Sequence, residues 1–197
     1  MQKLILGSSS PFRAELLAKL GLPFDVASPD IDEQALPGEN ATQLVKRLSL
    51  QKAHAIAIDH PNALIIASDQ VALLNGTILA KPGNHENAVQ QLQAASGKTV
   101  QFLTGLALFN SQTGEMQSLV EPFEVHFKTL TLEQINFYLE QEKPYQCAGS
   151  FKSEGLGISL FTKLSGEDPN SLIGLPLIRL IALLKNQGVN VLQPNLE

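Results

Sequence analysis

Three serines and an arginine lie between an apolar run and an amphipathic run near the start of the sequence. The stretch "LILGSSSPFRAELL", residues 4–17, places Ser8, Ser10 and Arg13 where a strand would give way to a helix. Free N–H groups at a helix start, hydroxyl groups and a guanidinium together favour an anion. A helix cap beside a surface arginine would use the same residues. The stretch therefore leaves both interpretations open, and it lacks the glycine and lysine spacing of a P-loop.

A single carboxylate interrupts the apolar stretch "ALIIASDQVALL". Asp69 follows the apolar residues 63–67, and the strand pattern continues after it through 71–74. A charge inside an apolar strand needs a partner, and ligands of α/β sheets bind beyond the carboxyl ends of parallel strands. A carboxylate in that place can take a proton from water or hold a metal ion. The pattern therefore favours a functional role for Asp69 over a turn or a cap.

Two polar segments add weaker indications. The segment "PDIDEQ", residues 29–34, supplies carboxylates suited to a hard cation, although a solvated acidic loop explains it better when it is considered alone. The segment "CAGSFKSEGLG", residues 147–157, has glycines that let a backbone approach a ligand closely, and a flexible loop is the alternative. The four histidines show no metal-binding spacing. Cys147 has no obvious catalytic partner and is interpreted as structural.

The elements that must position these residues alternate between strands and helices. Apolar periodicity and turn residues predict strands over 3–8, 24–29, 63–74, 77–82, the two halves of 99–127, 155–164 and 189–192. Capping residues and amphipathic spacing predict helices over 10–21, 39–61, 84–97, 131–144 and 168–188. The two hairpins interrupt the alternation. The pattern predicts an α/β fold with a mixed central sheet flanked by helices, in a single domain over 1–197 built of two merged lobes.

Composition narrows the classes of protein further. Hydrophobic residues make up 44% of the 197 residues and charged residues 17%, which fits a folded core and not a disordered chain. No apolar run reaches the roughly 20 residues of a membrane span. The net charge of −5 and the lack of a Lys/Arg cluster argue against nucleic acid as a partner. A single cysteine suits a reducing compartment, so we expect a cytoplasmic protein.

Seven short motifs occur in an order that makes the sequence resemble the Maf-like nucleoside triphosphate pyrophosphatases. The motifs are "LGSSSPFRAELL", "DIDE", "KA" in the second helix, "SDQV", "KP" after the first hairpin, "GSFKSEGLG" and "PNSLIGLPL". Any one of them is weak, but together they span nearly the whole chain. The resemblance implies an elongated mixed sheet related to that of inosine triphosphate pyrophosphatases. It also implies hydrolysis of a nucleoside triphosphate to the monophosphate and pyrophosphate, with Mg²⁺ or Mn²⁺ as cofactor.

The resemblance also implies roles for individual residues. Four of them would contact the substrate phosphates, namely Ser8, Ser10, Arg13 and Lys52. Glu33, Asp69 and Lys81 would be catalytic, with Lys81 a further cation on the phosphates. Glu33 and Asp69 would also be the metal ligands, and the division of roles between these two carboxylates stays open. Members of the family often form dimers, so a homodimer is an expectation, although no apolar stripe in this sequence supports it.

Three positions bear on the nucleobase. The pyrimidine-directed branch usually has Arg, Thr and Gln where this chain has Phe12, Gln70 and Glu154, and that departure resembles the branch that acts on 7-methyl-GTP. The methylated guanine ring is positively charged, so an aromatic face would attract it, and a carboxylate would accept from its N1–H and amino groups. We therefore expect 7-methyl-GTP as the substrate. A dTTP/UTP pyrophosphatase, a broader inosine or xanthosine triphosphate pyrophosphatase, and a nucleotide-sensing regulator of septum formation and cell division are the alternatives.

Overall fold

One mixed sheet of seven strands forms the centre of the computed structural model, which describes residues 2–193. The strands are β1 (Lys3–Gly7), β2 (Asp25–Ala27), β3 (Ala63–Leu74), β4 (Thr77–Leu79), β5 (Thr99–Asn110), β6 (Glu115–Phe127) and β7 (Phe161–Gly166). Their order is β2-β1-β3-β5-β6-β7, and β4 pairs with β3. Strands β2, β1 and β3 run parallel, whereas all the other pairs are antiparallel. The predicted mixed sheet flanked by helices is confirmed.

Within the described residues five α-helices flank the sheet, and most begin where the sequence predicts. They are α1 (Pro11–Ala18), α2 (Ala41–Ala57), α3 (His85–Ala95), α4 (Leu132–Glu142) and α5 (Leu177–Asn186). Ser10 caps α1 by accepting from the backbone N–H of Arg13. Thr131 and Gln134 form the capping box that their spacing predicts at the start of α4. Local sequence signals thus fix these helix starts without help from distant residues.

Strand β3 has a gap along one of its edges. Its first half, 63–67, pairs with β1, and 72–74 near its end pair with β4 on that same edge. Among the described strands, none pairs with 68–71 on that edge, while β5 covers the opposite edge continuously. The gap leaves backbone groups and side chains of 68–71 open just beyond the end of β1. This position is where ligands bind in open α/β sheets.

Helix α2 lies unusually close to the sheet beside this gap. A Cβ atom on Gly105 would lie 2.2 Å from the carbonyl oxygen of Val45, so the contact requires glycine. Gly105 is the residue of β5 paired with Asp69. The close approach lets side chains of α2 reach the middle of β3. Apolar clusters cover the rest of the sheet. One packs α1 and α5 against β1, β3 and the second half of β5, and another packs α3 and α4 against the start of β5 and the end of β6.

Three secondary-structure predictions are wrong, two of them in part and one entirely. The strand predicted over 155–164 begins only at Phe161, because a 3₁₀ turn, Leu156–Leu160, precedes it. The helix predicted over 168–188 is a 3₁₀ turn, Pro169–Ile173, and then α5, because Gly174 adopts φ +121° and Pro176 follows. Residues 189–192 form no strand and follow the end of α5 as coil and turn. None of the helices within residues 2–193 combines the length and apolarity needed to cross a membrane.

Candidate active site

A cleft of about 510 Å³ opens at the gap in β3, and its volume is typical of a small-molecule site. All ten residues that the sequence singles out line it, namely Ser8, Ser10, Phe12, Arg13, Glu33, Lys52, Asp69, Gln70, Lys81 and Glu154. They come from six separate segments of the chain. Asp30 and Asp32 of the acidic segment do not line the cleft, so that segment contributes Glu33 and not a cluster of carboxylates.

The first segment is both a helix cap and a potential anion site. Ser8 is buried and its hydroxyl accepts from the backbone N–H of Ser10 at 3.2 Å. The guanidinium of Arg13 donates through Nε to the carbonyl of Gly174 at 2.9 Å and through Nη1 to the carbonyl of Ser68 at 2.7 Å. These two bonds lock the arginine in the cleft wall, and no hydrogen bond within residues 2–193 uses its Nη2, which can therefore meet a ligand. The two interpretations left open by the sequence are therefore compatible in the structure.

Lys52 of α2 joins two carboxylates at the centre of the cleft. Its ammonium group lies 2.6 Å from Oδ1 of Asp69 and 2.8 Å from Oε1 of Glu33. Lys52 and Asp69 are buried, which supplies the partner that a charge inside an apolar strand requires. Partial burial raises the pKa of Glu33, but the hydrogen bond and charge of Lys52, with the charges of Lys81 and Arg13, outweigh it and hold that pKa below its usual value. Glu33 is therefore ionised at neutral pH.

The loops bring further charges to the other parts of the cleft. Lys81 is exposed and follows β4 directly, and Glu154 is exposed in the segment between Phe151 and the 3₁₀ turn at Leu156. The ring of Phe12 is partly exposed in the first turn of α1. Phe102 and Phe151 line the same cleft and pack edge to face, with their ring centroids 5.4 Å apart. The cleft thus has an apolar aromatic portion next to its charged portion.

Gln70 is fixed by its amide nitrogen. Nε2 donates to the carbonyl of Ser171 at 2.6 Å, to Thr104 Oγ1 at 3.0 Å and to the carbonyl of Leu172 at 3.2 Å. A backbone carbonyl accepts and cannot donate, so these contacts assign the amide orientation. The side chain therefore ties β3 to the 3₁₀ turn Pro169–Ile173. What it offers a ligand is the acceptor Oε1.

The donor set suits a cation that arrives with its substrate. Within residues 2–193 there is no group of three or more His, Cys, Asp or Glu side chains placed to hold a metal ion. Lys52 binds one oxygen of Asp69 and one of Glu33, which leaves Oδ2 and Oε2 for another partner. Mg²⁺ commonly binds through one or two carboxylates together with substrate phosphates. The two carboxylates fit that arrangement.

Sequence reasoning misses the residues that hold Arg13 in place. Ser68 is fully buried and its hydroxyl donates to the carbonyl of Gly174 at 2.8 Å, the same oxygen that accepts from Arg13. The motif "SDQV" contains Ser68, but the sequence gives no sign of its distant partner.

Cys147 lines the cleft, and burial raises the pKa of its thiol, so the thiol stays protonated. Lys152 does not line the cleft, because its ammonium donates to the carbonyl of Glu142.

Fold and site together define a class. This is an α/β protein whose cleft places three cations and three carboxylates beside an aromatic portion, an arrangement that suits a phosphorylated small molecule. The chain belongs to the Maf-like family, since the family model described as Maf-like protein matches residues 3–187. The resemblance found in the sequence motifs is thereby confirmed.

Several curated relatives match over nearly their full length. A protein of Nitrosococcus oceani named 7-methyl-GTP pyrophosphatase is 59% identical, with 96% of this chain and 95% of the relative covered. A protein of Pseudomonas aeruginosa with the same name is 56% identical, with 97% and 100% covered. Among solved structures, the Ham1 protein of Staphylococcus aureus matches with a TM-score of 0.56 at 14% identity, over 94% of this chain and all of that one. At that identity the likeness concerns the fold alone.

Proposed function

We propose that this protein hydrolyses 7-methyl-GTP to 7-methyl-GMP and pyrophosphate. The observation that carries the proposal is the convergence of Arg13, Lys52 and Lys81 with Asp69 and Glu154 on one cleft. Curated relatives that share more than half of their residues with this chain are named 7-methyl-GTP pyrophosphatase. The cations suit a triphosphate, and the aromatic and acidic side chains suit a cationic purine.

The cations hold the triphosphate. Nη2 of Arg13 and the ammonium groups of Lys52 and Lys81 bind phosphate oxygens, and the exposed Lys81 moves onto them from its loop. Each close pair contributes on the order of 4 kcal/mol at an effective dielectric of about 20, before desolvation is counted. Several pairs are needed because the protein as a whole carries a net charge of −5. At the start of α1 the N–H groups of Ser10 and Arg13 are bonded to serine hydroxyls and Pro11 has none, so this helix start adds the N–H of Phe12 to the set.

Asp69 acts as the general base. Lys52 holds its Oδ1 and thereby orients Oδ2, which accepts the proton of a water molecule. The water oxygen bonds to the α-phosphorus as the bond to the α–β bridging oxygen breaks, and pyrophosphate leaves with that oxygen. Glu33 through Oε2, and Asp69 through a lone pair that neither Lys52 nor the water uses, would hold a divalent cation with the phosphates, and such a cation would neutralise charge on the oxygens. Arg13 and the two lysines stabilise the charge that develops on the leaving group.

The base portion of the cleft supports the choice of substrate. Phe12 offers a ring face to a cationic purine, a contact worth about 0.5–2 kcal/mol. Glu154 accepts from the guanine N1–H and amino groups, and a hydrogen bond to a charged group contributes about 1.5–3 kcal/mol. Gln70 adds the acceptor Oε1. Uracil and thymine present neither the positive charge nor the pair of adjacent donors.

The test is pyrophosphate release from 7-methyl-GTP, GTP, ITP, dTTP, UTP and CTP, each with Mg²⁺ or Mn²⁺. We expect the highest kcat/KM for 7-methyl-GTP. A preference for dTTP or UTP would keep the reaction and overturn the substrate. Nucleotide binding without release of pyrophosphate from any of the six would overturn the enzymatic proposal in favour of a nucleotide sensor.

A further inference from the structure

The loop that carries Glu33 has no regular secondary structure to fix its conformation. Residues 28–40 between β2 and α2 contain no helix or strand. The side chain of Glu33 is 59% exposed, and its ion pair within residues 2–193 is with Lys52. A single ion pair whose carboxylate is exposed contributes little to fixing the loop that carries it. Another contact must therefore hold this loop over the cleft.

Arg47 fastens the loop to α2. Its Nη2 donates at 2.9 Å to the carbonyl of Gln34, the residue next to Glu33. Its Nε and Nη2 also donate to the two carboxylate oxygens of Glu39, at 2.7 and 2.8 Å. Glu39 in turn accepts from the backbone N–H of Leu36 at 3.0 Å. The arginine and the glutamate thus hold the loop at two backbone positions that flank residue 35.

We propose that Arg47 and Glu39 form a clamp that positions Glu33 beside Lys52 and Asp69. The assignment of a catalytic task to Glu33 rests on the proposed function, whereas the clamp itself does not. Arg47 and Lys52 lie on the same helix, so one rigid element carries both the anchor of the loop and the ammonium group that receives Glu33. Arg47 and Glu39 do not line the cleft, so they are positioning residues.

The clamp has the features of a fixed contact. The side chains of Arg47 and Glu39 are only 18% and 8% exposed. The hydrogen bond from Arg47 and that from Leu36 hold the pKa of Glu39 at about 2 against the effect of burial, so its charge is kept at any working pH. Nη1 of Arg47 donates to Gln51, which occupies the third nitrogen. A lysine would keep the charge but could not form this fork of bonds.

The test compares Arg47→Lys with Arg179→Lys. Arg179 of α5 also binds two glutamates, Glu121 and Glu167, but both lie outside residues 28–40, so it is a matched control. Backbone hydrogen exchange is measured over 31–39 and over α2 in each variant. We expect faster exchange over 31–39 in Arg47→Lys alone, with α2 unchanged. Unchanged exchange over 31–39 would overturn the clamp, whether or not the protein hydrolyses any nucleotide.

The second measurement asks whether Arg47 acts through Glu33. We expect Arg47→Lys to lower kcat/KM by about 10- to 100-fold, as is typical when a residue that orients a catalytic group is lost. In a Glu33→Gln background the same change should have almost no further effect, because the residue that it positions is already disabled. An equal loss in both backgrounds would overturn positioning of Glu33. If the wild-type protein releases no pyrophosphate at all, the proposed function fails and the exchange comparison decides on the clamp.

Discussion

The cleft has two parts that are built in different ways. Its framework part, Ser8, Arg13, Lys52 and Asp69, lies on regular elements or at their ends, and its members are hydrogen-bonded in two pairs, Arg13 to Ser8 and Lys52 to Asp69. Its loop part, Glu33, Lys81 and Glu154, lies on segments without helix or strand, and all three side chains are exposed. In the proposed reaction, the groups nearest the reacting phosphorus are therefore held rigidly. Groups that recognise or close over the substrate lie on exposed loops, and the loop with Glu33 is fastened to α2 by Arg47 and Glu39.

The largest effect should come from the most deeply fixed group. Asp69→Asn keeps the shape of the side chain but removes the proposed base, so we expect kcat to fall by about 10²–10⁴-fold. Binding of the nucleotide, measured by calorimetry, should be largely kept, since the cations remain. Circular dichroism controls for folding. Activity within tenfold of wild type would contradict both the role of Asp69 and the rigid character of the framework part.

The framework part also depends on the turn at Gly174. A Cβ atom there would lie 3.3 Å from Nε of Arg13, and φ is +121°, so Gly174→Ala should displace the guanidinium. We expect kcat/KM to fall by about 10- to 100-fold, as is usual for groups that orient catalytic residues. Strain of this kind costs on the order of 1–3 kcal/mol of stability, measured by urea unfolding.

A second glycine separates the two consequences of that substitution. Gly188 also has positive φ, +77°, but no atom lies within 4 Å of the point where a Cβ atom would be. Gly188→Ala should therefore lose stability and keep its kcat/KM. If both alanine variants lose activity equally, the loss reports strain and not the position of Arg13.

Within the loop part, Glu154 should affect discrimination between nucleobases more than rate. Glu154→Gln replaces an acceptor of two hydrogen bonds with an amide, and we expect the preference for 7-methyl-GTP over UTP to fall by about tenfold or more. The ratio of the two kcat/KM values measures the effect, and Glu140→Gln on the exposed face of α4 is the control. An unchanged ratio would remove Glu154 from base recognition.

The smallest effect concerns the aromatic ring. Phe12→Leu keeps an apolar side chain but removes the ring face, and at a partly exposed site the loss is about 0.5–1 kcal/mol. We expect the kcat/KM for 7-methyl-GTP relative to GTP to fall by about twofold to fivefold, because only the methylated base is cationic. A proportional loss for both nucleotides would assign Phe12 to packing.

The local elements and a set of residues that line one cleft could be predicted from the sequence. Caps at Ser10 and Thr131 and the apolar periodicity of β3 are short-range signals. They therefore specify these helices and this strand independently of contacts with distant parts of the chain. The polar residues at strand ends and the ordered motifs indicated ten residues, and all ten line one cleft. The predictions that failed, over 155–164, 168–188 and 189–192, lie where glycines or chain-distant contacts overrule local preference.

Contacts between distant segments depend on the tertiary fold. The carbonyl of Gly174 reaches Arg13 across 161 positions of the chain, and no spacing rule encodes such a bond. The gap in β3 exists because β1 ends at Gly7 and β4 begins only after the turn, which follows from strand pairing and not from any residue in the gap. The sequence by itself determines which residue types are present. It also determines much of the local conformation, because caps, turns and apolar periodicity depend on neighbouring residues. Packing decides which polar groups meet, because a buried polar group must find its partner wherever the fold provides one.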